Sequence, residues 1–313
     1  MASRRLLLLV AITICVMVAF MVIDLRGDLS FALQLRSVRL LALVEVAAAI
    51  GISTVIFQTV TGNYILTPSI MGLDAIYLFA QTAMVFAFGG LGFAAIDPRL
   101  KFSAEVVLMM LLALMLYLPM LRLRLDINLM LLTGVVLGIF FRSMSSLLAR
   151  MIDPNDFAIL QGASFASFGK VREDLLLVSA LVAVTGGLIA WRARHVLDVM
   201  ALGADPATSL GVDWRRSSAG ILALVSALVA VSTALVGPIT FLGLLAAAMA
   251  ERIVGTRRHA VLLPAAVLVG VIVLVGGQTI LQHGLGGASS LGVVIEFFGG
   301  LFFLAILSRG ARS

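Results

Sequence analysis

Charge is what this sequence has least of. Only 12% of its 313 residues are Asp, Glu, Lys or Arg, against about 25% in a soluble domain, while 62% are hydrophobic. Too few charges remain to cover a water-exposed surface, and a soluble globular class is excluded. Cysteine is nearly absent as well. Cys15 stands alone, so no internal disulfide forms. Ile14 precedes it where a lipoprotein signal needs a small residue, and Cys15 reads as an apolar packing residue. The three histidines, His195, His259 and His283, are scattered with no H-E-x-x-H and no metal-ligand cluster. A G-x-x-x-x-G-K-[ST] phosphate loop is also missing, its nearest fragment being Gly169-Lys170-Val171. If ATP drives this protein, ATP and Mg are held by another chain, and this one binds no cofactor and is no enzyme. The formal charge of +6 has an ordinary source in cytoplasmic loops, which retain basic residues. No aromatic-basic interleaving points to nucleic acid.

What is present is a series of apolar blocks near the ~20 residues a helix needs to cross a bilayer. Breaks at charged or Gly/Pro clusters predict ten spans: Leu6–Ile23, Leu40–Gln58, Ser69–Phe88, Ala104–Leu121, Leu129–Leu148, Leu175–Trp191, Ser218–Val236, Phe241–Val254, Leu262–Leu281 and Leu291–Leu307. Together they form one all-α transmembrane domain over 1–313. The first, behind Arg4 and Arg5, reads as an uncleaved helix because no small-x-small site follows it. The eighth is short, and Gly237-Pro238 before it implies irregular backbone shielded by neighbouring helices.

Ten spans put both termini on one side. With the termini cytoplasmic, thirteen basic residues lie inside: Arg4, Arg5, Arg122, Arg124, Arg192, Arg194, Arg215, Arg216, Arg252, Arg257, Arg258, Arg309 and Arg312. Eight lie outside: Arg26, Arg36, Arg39, Arg99, Lys101, Arg150, Lys170 and Arg172. The balance favours this orientation in an inner (plasma) membrane, yet leaves an outer excess to be explained.

Two connections carry structure of their own. The outer one, Asp153 to Asp174, is predicted to hold a short helix around Asp156–Phe165. The inner one, Arg192 to Arg216, reads as two short helices. The first runs from Val196 to a terminating Gly203. In the second, Asp205 is the expected N-cap, Pro206 the first helical residue, and Gly211 the stop. Such a pair cannot bury its apolar side alone. It either covers the cytoplasmic helix ends or plugs into a partner subunit with Leu202, Ala207 and Leu210 facing that partner.

Ionisable residues within spans are costly and mark function by default. Asp74 and Glu105 are expected near span ends, in reach of water. Gly134 and Gly138 give the fifth span a smooth packing face. Beyond them Arg142, Ser143 and Ser146 offer donors to an anionic cargo, unless Arg142 pairs with Glu45 or Glu296. Glu45 and Glu296 would serve an ion-coupled carrier, the alternative transport reading. Ser167-x-x-Lys170 has the spacing of a Ser–Lys dyad and is the one hint of a hydrolase.

Several motifs resemble the iron-siderophore and vitamin B12 importer permease family, in order along nearly the whole chain. Leu202-Gly-Ala-Asp-Pro-Ala-Thr-Ser-Leu-Gly-Val212 resembles its L-G-x-x-x-A-x-x-L-G-V. Arg36-Ser-Val-Arg39 is similar to R-x-P-R, with Val38 for the proline, and Gly237-Pro-Ile-Thr-Phe-Leu-Gly243 to G-P-I-G-F-x-G, with Thr240 for a glycine. Leu291-Gly-Val-Val294 and Gly299-Gly-Leu-Phe302 resemble the last span. Asn63-Tyr-Ile-Leu-Thr-Pro-Ser-Ile-Met-Gly-Leu-Asp74 resembles the petrobactin and anguibactin subgroup. The P-H-x-x-R after the G-F-x-G-L pattern is absent, replaced by Ala247 to Arg252.

The resemblance implies the type II ABC importer permease fold, with the second to fifth spans repeated in inverted form by the seventh to tenth. It also implies a ferric siderophore of catecholate or mixed type as cargo. The implied partners are two ATP-binding subunits, a second related permease and an external siderophore-binding protein. Arg36 and Arg39 match outward arginines that meet acids on the binding protein, lipid-headgroup anchoring being the alternative. Leu202, Gly203, Ala207, Leu210 and Gly211 match the ATPase-coupling loop. By the same resemblance the fifth and last spans line the translocation path, placing Gly134, Gly138, Arg142, Ser143, Ser146 and Glu296 along it.

Overall fold

Ten helices lie where ten spans are predicted. The structure, a computed structural model, describes residues 2–24, 29–122, 127–169, 171–284 and 290–310. Arg26, Arg124, Lys170 and Arg312, used above to orient the chain, lie outside the described residues. The spanning set is α1 (Ala2–Val22), α2 (Leu29–Thr61), α3 (Leu73–Ala95), α4 (Pro98–Arg122), α5 (Ile127–Ala149), α7 (Glu173–Arg192), α10 (Trp214–Val236), α11 (Leu242–Val254), α12 (His259–Gly284) and α13 (Leu291–Gly310). Three short helices complete the chain: α6 (Pro154–Ala163), α8 (Arg194–Met200) and α9 (Ala204–Ser209). Among the described residues, seven helices are individually long and apolar enough to cross a membrane. The other three spans are α4, with Arg99, Lys101 and Glu105 near its start, the 13-residue α11, and α13.

Contacts at the helix ends sort these elements into two faces. On one, Arg5 of α1 donates to the Ile253 carbonyl at the end of α11 at 3.0 Å, and His259 at the start of α12 meets Asp198 of α8 and Thr59 near the end of α2. On the other, Arg36 of α2 reaches the end of α1, Gln34 meets Glu173 of α7, and Arg99 of α4 pairs with Asp174. Successive spans therefore alternate in direction. The start of α1, the end of α11 and the α8–α9 loop share one face.

The helix pairing has a two-fold pattern. α2 packs along α12, and α10 packs along α4; α3 packs on α5, and α11 on α13; α2 and α10 cross at the centre. Exchanging α2–α5 for α10–α13 maps each pair onto the other, so two inverted repeats build the domain. In hydrocarbon, apolar burial does not hold helices together as it does in water, and close approach of backbones takes its place. The α2–α12 seam shows how. A Cβ on Gly51 would stand 3.2 Å from the Ala266 carbonyl oxygen, and one on Gly270 would stand 3.3 Å from Ala47 Cβ. Ala47-x-x-x-Gly51 and Ala266-x-x-x-Gly270 thus form matching small-residue faces.

We expect Gly51→Val to overpack this seam and destabilise the domain by about 1–3 kcal/mol, read as a lower Tm of the detergent-solubilised protein. Gly220→Ala in α10, where an added Cβ meets nothing within 4 Å, should leave the Tm unchanged or slightly raised.

Candidate functional site

The inner loop departs from its predicted capping. α9 begins at Ala204, and its N-cap is Gly203 rather than Asp205. Gly203 adopts φ 101° and ψ 172°, a conformation closed to most side chains, and its carbonyl accepts from Ala207 N at 3.1 Å. Asp205 falls in the first turn, where its charge still suits the positive end of the helix. The same Asp-Pro logic does operate at α6. There Asp153 caps the helix by accepting from Asn155 N at 2.9 Å, with Pro154 at the first position.

Burial divides the loop's apolar residues. Leu197 and Met200 are buried beneath α8. Ala207, expected to face a partner, is 0% exposed: its carbonyl accepts from Val212 N, closing α9 against the chain's own fold. Leu202 and Leu210, by contrast, are 60% and 63% exposed. The left-handed Gly211 (φ 87°) follows Leu210 directly. Two large apolar side chains stand in the open on the face that carries the start of α1.

Inside the bundle two irregular turns meet. A 3-10 turn at Pro68–Met71 precedes α3, and Gly237–Phe241 precedes α11. Gly72, at φ 94°, lies so close to α5 that a Cβ there would stand 3.2 Å from the Gly134 oxygen and 3.1 Å from Gly138 Cα. Gly134 and Gly138 are buried under this turn. Gly237, at φ 96°, is pressed against Ala166 of the outer connection, and Ser167 N donates to the Val236 carbonyl at 2.7 Å. That position gives Ser167 a packing role at the end of α10, while Lys170 lies outside the described residues.

Thr240 joins the two turns. Its hydroxyl donates to Asp74 Oδ2 at 3.1 Å and lies 3.4 Å from Glu296 Oε1. One hydroxyl proton thus sits between two carboxylates from α3 and α13. Asp74 is only 3% exposed and not solvated as expected, because its helix starts in the interior after the Pro68–Met71 turn instead of at a membrane surface. Glu105 is buried too, and Gln81 of α3 donates to it at 2.7 Å across the α3–α4 contact. Glu45 is buried on α2. Among the described residues no ion pair joins Arg142 to Glu45 or Glu296; Arg142 lies instead within electrostatic range of Asp74. Arg142, Ser143 and Ser146 are exposed on α5.

The outer arginines have separate roles. The Arg36 guanidinium donates to the carbonyls of Phe20, Met21, Ile23 and Asp24 at 2.7–3.2 Å. Phe20 and Met21 fall in the last turn of α1, whose carbonyls have no partner within the helix, and a cation there also meets the negative end of the helix. Arg36 caps the end of α1. Arg39, one turn on, is half-buried beside Gly169 of the outer connection. Arg99 and Arg172 share Asp174.

A match to a known family spans this whole arrangement. Residues 5–309 fit the FecCD transport family. The chain belongs to that family. It is 38% identical over 312 residues to the petrobactin import system permease protein YclO of Bacillus subtilis, covering 99% of each chain. It is 33% identical over 276 residues to the petrobactin import system permease protein FatC of Bacillus anthracis, covering 88% of this chain and 78% of that one. The fold matches a metal-chelate type ABC transporter solved in an inward-facing conformation, with TM-score 0.84 and 21% identity over 99% of this chain and 100% of the other. This is therefore a polytopic ABC importer permease fold, and ATP hydrolysis in such systems belongs to a separate subunit. Within it, sequence reading missed one residue at the inner face. That residue is His259, one of three scattered histidines in the sequence, which the structure places at the first residue of α12.

Removing the Thr240 hydroxyl leaves the buried Asp74 without that donor. We expect Thr240→Val to lower stability by about 1–3 kcal/mol and Thr240→Ser to retain it, as measured by thermal unfolding of the purified protein.

Proposed function

We propose that this chain is one membrane-spanning half of an ATP-driven importer that carries a ferric siderophore, of catecholate or mixed type, across the inner (plasma) membrane, with both termini cytoplasmic. The observation that carries this reading is the exposure of Leu202 and Leu210 on a loop whose Leu197, Met200 and Ala207 are buried. Such side chains in water call for a partner, and the chain has no phosphate loop of its own. The partner is an ATP-binding subunit, two copies per transporter, each holding ATP and Mg. The near end-to-end similarity to petrobactin import permeases supports a ferric petrobactin-like cargo, a second related permease and an external siderophore-binding protein. Arg142, Ser143 and Ser146, exposed on α5, supply donors to an anionic chelate along the path, with Glu296 on α13 opposite in charge to Arg142.

Transport follows from the two faces. Docking of the binding protein at the outer face admits the chelate. Closure of the ATP-binding subunits pushes on Leu202, Leu210 and their flanking glycines and reorients the bundle.

Replacing both Leu202 and Leu210 by Asp is expected to abolish co-purification of the ATP-binding subunit and uptake of radio-iron petrobactin, while the permease itself remains folded. Uptake that persists without any ATPase and collapses with an ionophore would overturn the reading in favour of an ion-coupled carrier.

The arginine pair separates docking from architecture. Arg36→Ala should cost about 2 kcal/mol of stability through the lost charged hydrogen bonds. Arg39→Glu should leave the Tm unchanged but slow association with the binding protein roughly tenfold at low salt, as followed by stopped-flow mixing.

A further inference from the structure

Under the inner loop lies a chain of hydrogen bonds that the coupling surface itself does not use. Asp198 Oδ1, on α8, accepts from the backbone N–H of His259 at 2.8 Å and from His259 Nδ1 at 2.7 Å. The first of these bonds satisfies an orphan donor at the start of α12, so α8 caps α12 from outside that helix. A carboxylate only accepts, so His259 Nδ1 carries the proton in the second. The other ring nitrogen, Nε2, stands 2.7 Å from Thr59 Oγ1 of α2, and the Thr59 hydroxyl also reaches the Val55 carbonyl at 2.9 Å. With Nδ1 donating, Nε2 accepts from the single Thr59 hydroxyl proton, for which the Val55 carbonyl competes, and the chain runs from α8 through α12 to α2. His259 is buried and shielded from competing water, which keeps these bonds short and directional.

We propose that Asp198, His259 and Thr59 are positioning residues that carry movement of the α8–α9 loop into the α2–α12 pair. This rests on the reading of the loop as the ATPase docking element. Two helix pairs, α2–α12 and α4–α10, make up the centre of the domain. The loop is joined to the second pair covalently, since α9 leads through Asp213 into Trp214 at the start of α10, and Asp213 caps that helix by accepting from Arg216 N. It has no covalent link to the end of α2 or the start of α12. Asp198 and His259 supply a hydrogen-bonded link instead, and Thr59 extends it to α2, the helix packed along α12. A push on the loop then moves both pairs together instead of tearing α8 away from one of them.

The test uses the complete transporter, permeases with ATP-binding subunits and binding protein, reconstituted in proteoliposomes. Thr59→Val keeps the shape of the side chain and removes only the hydroxyl. The ATP-binding subunit should still co-purify and ATP hydrolysis should stay near the wild-type rate. Radio-iron petrobactin taken up per ATP should fall roughly tenfold, the scale on which one buried hydrogen bond shifts an equilibrium. Asp198→Ala should behave alike. Thr59→Ser, which restores the hydroxyl, and Asp198→Asn, whose amide oxygen still accepts both bonds, should recover uptake per ATP. A purely structural role would lower stability and leave that ratio alone.

A second readout needs no cargo. Trapping with Mg-ATP and vanadate should change amide exchange over residues 55–61 in the wild type and not in Asp198→Ala. Wild-type uptake per ATP in both Thr59→Val and Asp198→Ala, or an unaltered exchange response in Asp198→Ala, overturns the relay. Failure of the underlying reading looks different, because the wild-type chain would then retain no ATP-binding subunit.

Discussion

In hydrocarbon no water is present to satisfy a backbone N–H or C=O, so each must find a partner within the protein. Among the described residues, irregular turns enter the bundle at Pro68–Met71 and at Gly237–Phe241, and the rest of the fold is arranged to shelter them. α11 has 13 residues, about 20 Å of helix, and cannot cross a ~30 Å core alone. The irregular stretch before it covers the remainder, and it is walled off by Ala166 on one side and by α13 on the other, where Gly299 lies directly against Phe241. The other break sits on α5 through Gly72, Gly134 and Gly138. Because the repeats are inverted, the two breaks enter from opposite faces and meet, and the Thr240–Asp74 hydrogen bond is where they touch.

The same constraint accounts for the basic residues on the outer face. A count of positive charges treats each arginine as a solvated headgroup contact. Arg36 is instead spent on the last carbonyls of α1, which would otherwise face a bilayer interface without donors. Arg99 and Arg172 converge on Asp174 and fasten α4 to the start of α7. These arginines are thus held by the chain's own groups on that face.

Span positions were legible because they depend on a local property, the length of an apolar run, and all ten fall on helices. Family motifs were equally legible, since they are contiguous. What sequence could not supply was depth. Asp74 and Glu105 lie near the ends of their apolar blocks and read as solvated, yet Asp74 follows an interior turn and Glu105 meets Gln81 from a helix about 24 residues away. Likewise Gly134 and Gly138 were recognised as a packing face, but the choice between a partner helix and the chain's own turn is a tertiary matter. Capping was partly legible. Asp153-Pro154 and Asp205-Pro206 carry the same dipeptide, and only the first is a cap. At the second, Gly203 stands two residues earlier and takes the cap position with a conformation aspartate could not adopt without strain.

Inversion of the repeats also decides how force from one face can be shared. Two repeats related by a two-fold axis in the membrane plane present different ends to the face that carries the start of α1: the end of α2 from the first and the start of α10 from the second. A single loop inserted before α10 is therefore continuous with one repeat and foreign to the other. Apolar contact through Leu197 and Met200 would let the loop slide over the first repeat, since such packing has no preferred direction. Hydrogen bonds do have one. A bonded chain from Asp198 to Thr59 resists both sliding and lifting, and so makes the second repeat's loop mechanically part of the first.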